Sequence, residues 1–475
     1  MKFDKRFGVL LVLMVFAMGA LGIMESMKKP VLINTQADDL EVTVYNSDLG
    51  VVKEYRTNYL DSGLNTVLYE GVASSIDPSS VKLKSLNGHI DVLEQNYQYD
   101  LVSKEKILEK YVGKDITAYQ IYGDKKELVE GNLLSYSGDQ LILKDKDGKI
   151  NIVSVNDLVL PDLPEGLITK PTLEWTVETN ESTNHTLELS YMTGGMSWKA
   201  DYVAVTNDKD DKLDLNGWVT VRNNAGTTFN NAKLKLVAGD VNRAPAPSME
   251  MNAGAMMDKV LAASSQFQEE SLFEYHMYDL QRKTTLKNNE EKQLSLLASN
   301  DIGVEKEYIF DDLSGWYYGN SWSDASQKKV NVMLNFNNSE KNNLGIPLPK
   351  GTIKVFKKDS TGQLQFIGED SIDHTPKDET IRLLVGQAFD IVGERKQMDM
   401  NILSNWYEYT WEVTLRNHKN EDITVSVLEN TGGDWEITKE NVDHIKESNN
   451  QIKWKVPVKA NSDATLTYTI RYKKW

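Results

Sequence analysis

The chain contains no cysteine. Disulfides and thiolate metal sites are therefore excluded, as is a lipid anchor built on an N-terminal thiol. Histidine is scarce too: His89, His185, His276, His374, His418 and His444 are too scattered for any two to form a metal half-site at helical or hairpin spacing. Nucleophile elbows, His-Glu-x-x-His, Walker loops and glycine-rich dinucleotide loops are missing. The nearest serine match, Gly319-Asn320-Ser321-Trp322-Ser323, lacks the closing glycine. Asp61-Ser62-Gly63 has the letters of an aspartic-protease turn, but it occurs once where two carboxylates would have to meet. Positive charge is in deficit, with 53 Lys plus Arg against 70 Asp plus Glu and a net charge of −17. A field of that sign repels phosphate backbones and argues against nucleic acid as a partner. None of these observations calls for a cofactor.

What is present begins at the front. Lys2, Lys5 and Arg6 lead into the apolar run Phe7–Met24, which ends before Glu25, Lys28 and Lys29. This is the pattern of an export signal. The run also reaches the lower edge of the ~20 residues that span a bilayer, so a cleaved signal peptide and a retained membrane anchor both fit residues 1–24. Basic residues ahead of the run favour a cytoplasmic N-terminus. The rest is then extracytoplasmic, either secreted or held to the cytoplasmic membrane through residues 7–24 alone.

Composition is that of a globular protein, with 40% hydrophobic and 26% charged residues over 475 positions, more than a single core can organise. Period-two alternation dominates after the signal. Residues 35–100 read as an N-terminal β module. Over 101–160 a short helix, Ser103 to Val112, precedes tightly spaced strands divided by Gly123-Asp124, Ser137-Gly138-Asp139 and Asp147-Gly148. That spacing predicts a small SH3-like or Sm-like β-barrel inserted in the N-terminal half. Its lysines are balanced by acids, which favours a structural spacer over an RNA-binding barrel. A β-sandwich is expected over 171–242 and a flexible insert over 243–270, where Pro245, Pro247, Gly254 and several Met and Ala break the pattern. Residues 271–475 alternate cleanly, as in Tyr409, Trp411, Val413 and Leu415, or Ile452, Trp454, Val456 and Val458. The class is all-β, with tandem antiparallel immunoglobulin-like sandwiches. One internal echo, Val219-Thr220-Val221-Arg222-Asn223 against Val413-Thr414-Leu415-Arg416-Asn417, fits either two related modules or shared β composition.

Two features carry candidate chemistry. Asp208, Asp210 and Asp211 offer oxygen ligands to calcium, although the run lacks the glycine and terminal glutamate of a proper loop and also reads as a solvated acidic turn. Trp316, Tyr317, Tyr318 and Trp322 crowd a turn-rich stretch, where aromatics stack on a sugar, grip a partner, or plug the end of a sandwich.

An ordered series of short motifs resembles a known family. Leu344-Gly345-Ile346-Pro347-Leu348-Pro349-Lys350-Gly351 comes first, followed by Phe366-Ile367-Gly368-Glu369-Asp370 and His374-Thr375-Pro376. Gly386-Gln387-Ala388-Phe389-Asp390-Ile391, Glu394-Arg395 and Arg416-Asn417-His418-Lys419 then complete it, with Tyr191 to Tyr202 upstream. Over roughly residues 185–475 this is similar to the prokaryotic domain-of-unknown-function family 4139, which includes proteins labelled mucoidy inhibitors. The resemblance implies an all-β, envelope-associated protein and no catalytic residues. Those relatives resemble a sandwich pair separated by a long coiled coil; this chain has no heptad run, and the small barrel stands in its place.

The expectation is a non-enzymatic binding or scaffolding component of the cell envelope, with an envelope protein or polysaccharide as partner. The alternatives are a hydrolase of envelope polymers with fold-assembled carboxylates, and a calcium-stabilised adhesion or surface-layer module.

Overall fold

The computed structural model describes residues 30–33, 37–101, 103–122, 125–154, 157–160, 162, 164, 167–239, 241–242, 267–272, 274–311 and 326–474. Residues 1–24, read from the sequence as an export signal or anchor, and most of the 243–270 stretch lie outside them. Among the described residues no helix is long and apolar enough to cross a membrane.

The alternating patterns fold into two sandwiches with the same strand order. In the first repeat Asp39–Tyr45 and Gly50–Leu60 form a hairpin, and Thr183–Thr193 pairs antiparallel with the second of them. The chain continues into Met196–Thr206, which pairs with Lys212–Asn223, and Phe229–Ala238 returns parallel to Asp39–Tyr45. Tyr275–Leu280 then joins Phe229–Ala238, and Glu290–Gly303 joins Lys212–Asn223. The second repeat retraces every step. Glu305–Asp311 and Ser326–Asn337 are its hairpin, and Thr380–Ile402 pairs first with Ser326–Asn337 and then with Trp406–Asn417. Ile423–Asn430 runs parallel to Glu305–Asp311, Gln451–Val458 joins Ile423–Asn430, and Ser462–Lys473 joins Trp406–Asn417.

The sequence echo falls on equivalent positions of these repeats. Asn223 and Asn417 are each 1% exposed at the end of a central strand. The Asn223 Oδ1 accepts from the Ala225 amide at 3.1 Å, while its Nδ2 donates to the carbonyls of Thr227 at 2.9 Å and Leu286 at 3.0 Å. The Asn417 Oδ1 accepts from the Lys419 amide at 3.0 Å, while its Nδ2 donates to Glu421 at 2.9 Å and Lys459 at 3.1 Å. Both corners close beside a left-handed asparagine that opens the last strand, Asn289 (φ 57°) and Asn461 (φ 49°).

The repeats are welded by shared strands. Thr380–Ile402 contributes Ile381 and Leu383 to the first core and Ile391 to the second, and Ser326–Asn337 gives Leu334 and Phe336 to the first and Val330 to the second. Between them an arm leaves the second repeat: Gly351–Lys358 adds in parallel to Met196–Thr206, with Leu364–Ile372 outside it. A side chain at position 351 would put its Cβ 2.2 Å from the Ala200 carbonyl oxygen, which is why the arm begins with glycine. The second core is closed by the sheet folding onto itself, Trp454 stacking on Tyr468 with ring centroids 4.4 Å apart.

Pairing redraws several segments read from the sequence. Residues 35–100 and 171–242 share sheets, since Gly50–Leu60 lies along Thr183–Thr193 and Gly63–Glu70 along Thr172–Thr179. Phe267–Leu272, at the end of the expected insert, is a strand paired with Tyr275–Leu280, and the second repeat opens at Glu305 instead of 271. In the 101–160 segment the Ser103 hydroxyl caps the helix Lys104–Tyr111, whose Leu108 and Tyr111 cover one face of five antiparallel strands. Asp157–Val159 returns beside Asp115–Tyr122, while Ile150–Ser154 forms the opposite edge. The small barrel expected here is thus a helix-covered five-stranded antiparallel sheet, which does not close between these two edges among the described residues.

Candidate functional site

The strand Gly50–Leu60 builds the floor of the site. The period that buries Val52 and Leu60 carries Glu54, Arg56 and Asn58 inward with them. Arg56 Nη2 lies 2.6 Å from Glu54 Oε2, and the two side chains are 7% and 8% exposed. The Tyr69 hydroxyl donates to the same carboxylate oxygen, and the guanidinium sits 3.8 Å over the Tyr69 ring. Burial, reinforced by the Glu54 charge, pushes the Tyr69 phenol well above its ordinary range, so it stays a donor. Each charge of this cluster therefore meets a partner inside the protein.

Above the floor opens a cleft of about 590 Å³. Asp38, Asp39 and Leu40 form one wall, Glu70, Gly71 and Lys170 a second, and the loop Thr227–Asn231 with Lys283 a third. Asp39 accepts from Lys233 Nζ at 2.6 Å and Lys283 Nζ at 2.8 Å, and these bonds hold its carboxyl down to about 2. Asp38 accepts from the Thr57 hydroxyl at 2.9 Å. A general acid at neutral pH needs a carboxyl moved upward, and Asp39 is moved the other way. Glu70 and Lys170 have no ion-pair partner among the described residues. The cleft is thus a polar seat with fixed charges of both signs, suited to hydrogen-bonding a polar partner.

The second repeat buries a cluster of the same composition. Arg395 lies 2.6 Å from Glu429, which accepts from the Tyr468 hydroxyl at 2.7 Å, and the guanidinium stacks 3.9 Å over Trp411. Recurrence of an Arg–Glu–Tyr set in both cores marks it as an internal fastening.

The proposed calcium ligands sit where the repeats meet. Asp210, left-handed at φ 57°, places its carboxylate 2.7 Å from Lys306 Nζ and 2.5 Å from Lys357 Nζ. Burial raises this carboxyl, but the two lysine hydrogen bonds outweigh it and leave it below its ordinary value. Lys357 also donates to the Asp208 carbonyl at 3.1 Å, and the Asp211 carboxylate accepts from Asn207 Nδ2 at 2.6 Å. Two ammonium groups thus stand where a cation would bind Asp210, and among the described residues no group of three or more His, Asp or Glu side chains is placed to hold a metal. Millimolar calcium is accordingly expected to leave the melting temperature unchanged, as read by differential scanning fluorimetry; a rise with calcium concentration would show a site bound only in the native state.

Trp316, Tyr317, Tyr318 and Trp322 lie outside the described residues, which flank them at Asp311 and Ser326. Sequence reasoning missed the cleft altogether. The signal was there: Glu54 and Arg56 share strand parity with Val52 and Leu60, so a buried Val52 implies buried charges.

Fold and cleft together define a class: a duplicated, welded β-sandwich protein with a polar cleft in its first repeat. The chain belongs to the family described as Domain of unknown function (DUF4139), whose model matches residues 187–474, more than half its length. That match opens inside Thr183–Thr193, so the hairpin Asp39–Leu60, which this strand needs as its neighbour, completes the first repeat from outside the matched region. No curated protein matches the chain.

Proposed function

We propose that the protein is a non-enzymatic, extracytoplasmic component of the cell envelope that binds and positions a partner through the cleft of its first repeat. The observation that carries this reading is the commitment of two of the cleft's four carboxylates, Asp39 to Lys233 and Lys283 and Glu54 to Arg56 and Tyr69, with Asp38 and Glu70 remaining. A glycosidase needs two uncommitted carboxyl groups about 5 Å or about 6.5–9.5 Å apart, one of them protonated. The welded repeats supply a rigid support for a partner, and the basic-then-apolar front of the chain is the ground for placing them outside the cytoplasm.

The test is incubation of the purified chain with the polysaccharides and proteins of its own envelope. Retention of a partner with no release of fragments is the expected result. Appearance of new reducing ends, abolished by Asp39→Asn, would replace this reading with the hydrolase.

A further inference from the structure

Equivalence of the repeats assigns a specific occupant to the cleft. In the pairing ladders Val42 lies beside Leu234 as Phe310 lies beside Val427, so two and four residues earlier Leu40 and Asp38 correspond to Tyr308 and Lys306. The buried asparagine corners likewise align Thr227 with Glu421, and Ala225 with Lys419. In the second repeat these positions form a filled seat. Lys306 grips Asp210, Lys419 donates to the Tyr308 hydroxyl at 2.9 Å and pairs with Glu421, and the Val304 amide donates to the Asp211 carbonyl at 3.0 Å. What fills it is the turn between Met196–Thr206 and Lys212–Asn223 of the first repeat. In the first repeat the same positions, Asp38, Leu40 and Thr227, line the cleft, which no described segment fills.

The counterpart of the seated turn is also identifiable. Thr206 faces Leu213 across that turn as Ile402 faces Tyr407 across the next, so residues 403–406 stand where 207–212 stand in the first repeat. This second turn projects past its core, with Ile402 67% and Leu403 41% exposed. It lies at the opposite end of the molecule from the cleft, because Thr380–Ile402 starts in the first core and runs out beyond the second. Lys474, donating to the Leu403 carbonyl at 2.5 Å, gives the turn a cation to set against Asp38 and Glu70 of the cleft.

We propose that the Ile402–Trp406 turn of one copy seats in the first-repeat cleft of another, so that chains stack head to tail as the repeats stack within a chain. The partner is a second copy of this chain; the inference rests on the reading of the cleft as a binding seat. The contact joins two different surfaces, so its repetition builds a linear assembly and does not close into a two-fold dimer.

Absence of native cysteine makes the test direct. Ser404→Cys and Asn230→Cys are placed together in the full chain, at two exposed positions, and oxidised in the membranes of cells producing it. The expected product is a disulfide ladder of dimers, trimers and higher species, whereas co-production of the two single variants yields one heterodimer and nothing larger. A ladder no stronger than that of either single variant, with both cysteines open to a maleimide and the melting temperature retained, overturns the proposal; so do homodimers from Ser404→Cys alone. Capture of a different protein by Asn230→Cys overturns the stacking and leaves the cleft a binding seat. Capture of nothing removes both.

Discussion

Replacing Arg56 by methionine is expected to cost about 3–5 kcal/mol of stability, because it leaves the Glu54 carboxylate buried without its counter-charge. The expectation follows from the exposure of the pair, 7% for Arg56 and 8% for Glu54, which leaves the orphaned carboxylate little access to water. Tyr69 alone cannot neutralise it, since a single hydroxyl supplies one hydrogen bond and no charge. The double variant Glu54→Leu with Arg56→Met removes both charges and keeps most of the volume, so it is expected to recover most of the loss. Urea midpoints of the four proteins of this cycle measure the coupling. Equal losses in the single and double variants would mean that stacking of the guanidinium, 3.8 Å over the Tyr69 ring, matters more than its pairing with Glu54.

Asn223→Ala and Asn417→Ala are expected to be matched losses of about 2–4 kcal/mol each, since each strips buried backbone groups of their partners. The Ala225 and Lys419 amides lose an acceptor, and the Thr227 and Glu421 carbonyls lose a donor, at corners with nearly the same distances. Similar costs from residues almost two hundred positions apart are what a duplicated architecture requires. Because Thr380–Ile402 and Ser326–Asn337 pass through both cores, each variant is further expected to lower a single cooperative transition. Two separate transitions, with each substitution moving only one, would show that the repeats unfold independently.

The strands of the second repeat were legible because a half-buried strand writes its burial into its sequence. Ile452, Trp454 and Val456 alternate with Lys453 and Lys455, and all three are buried together with Val458, as are Val413 and Leu415. Pairing between distant segments leaves no such local trace. Nothing in Gly50–Leu60 announces Thr183–Thr193 as its neighbour, and the chain passes from Glu290–Gly303 into Glu305–Asp311 across one residue, with no turn cluster to mark the boundary. The site was hidden for a related reason. Glu54 and Arg56 look like solvent-face residues until Tyr69 and the opposite sheet cover them, and Asp210 reads as an exposed acid until Lys306 and Lys357, both far along the chain, close on it. The Val-Thr-Val-Arg-Asn echo was the one long-range signal in the sequence, and its asparagines turned out to hold equivalent corners.

Whether the protein works outside the cytoplasm by holding a partner is measured most directly by crosslinking it in intact cells, followed by proteolysis from outside and intact-mass analysis of what is recovered. The expected result is a chain open to external protease and held in reproducible covalent complexes through residues 227–231 of its cleft. Recovery as a protease-shielded, uncrosslinked monomer inside the cell would contradict it.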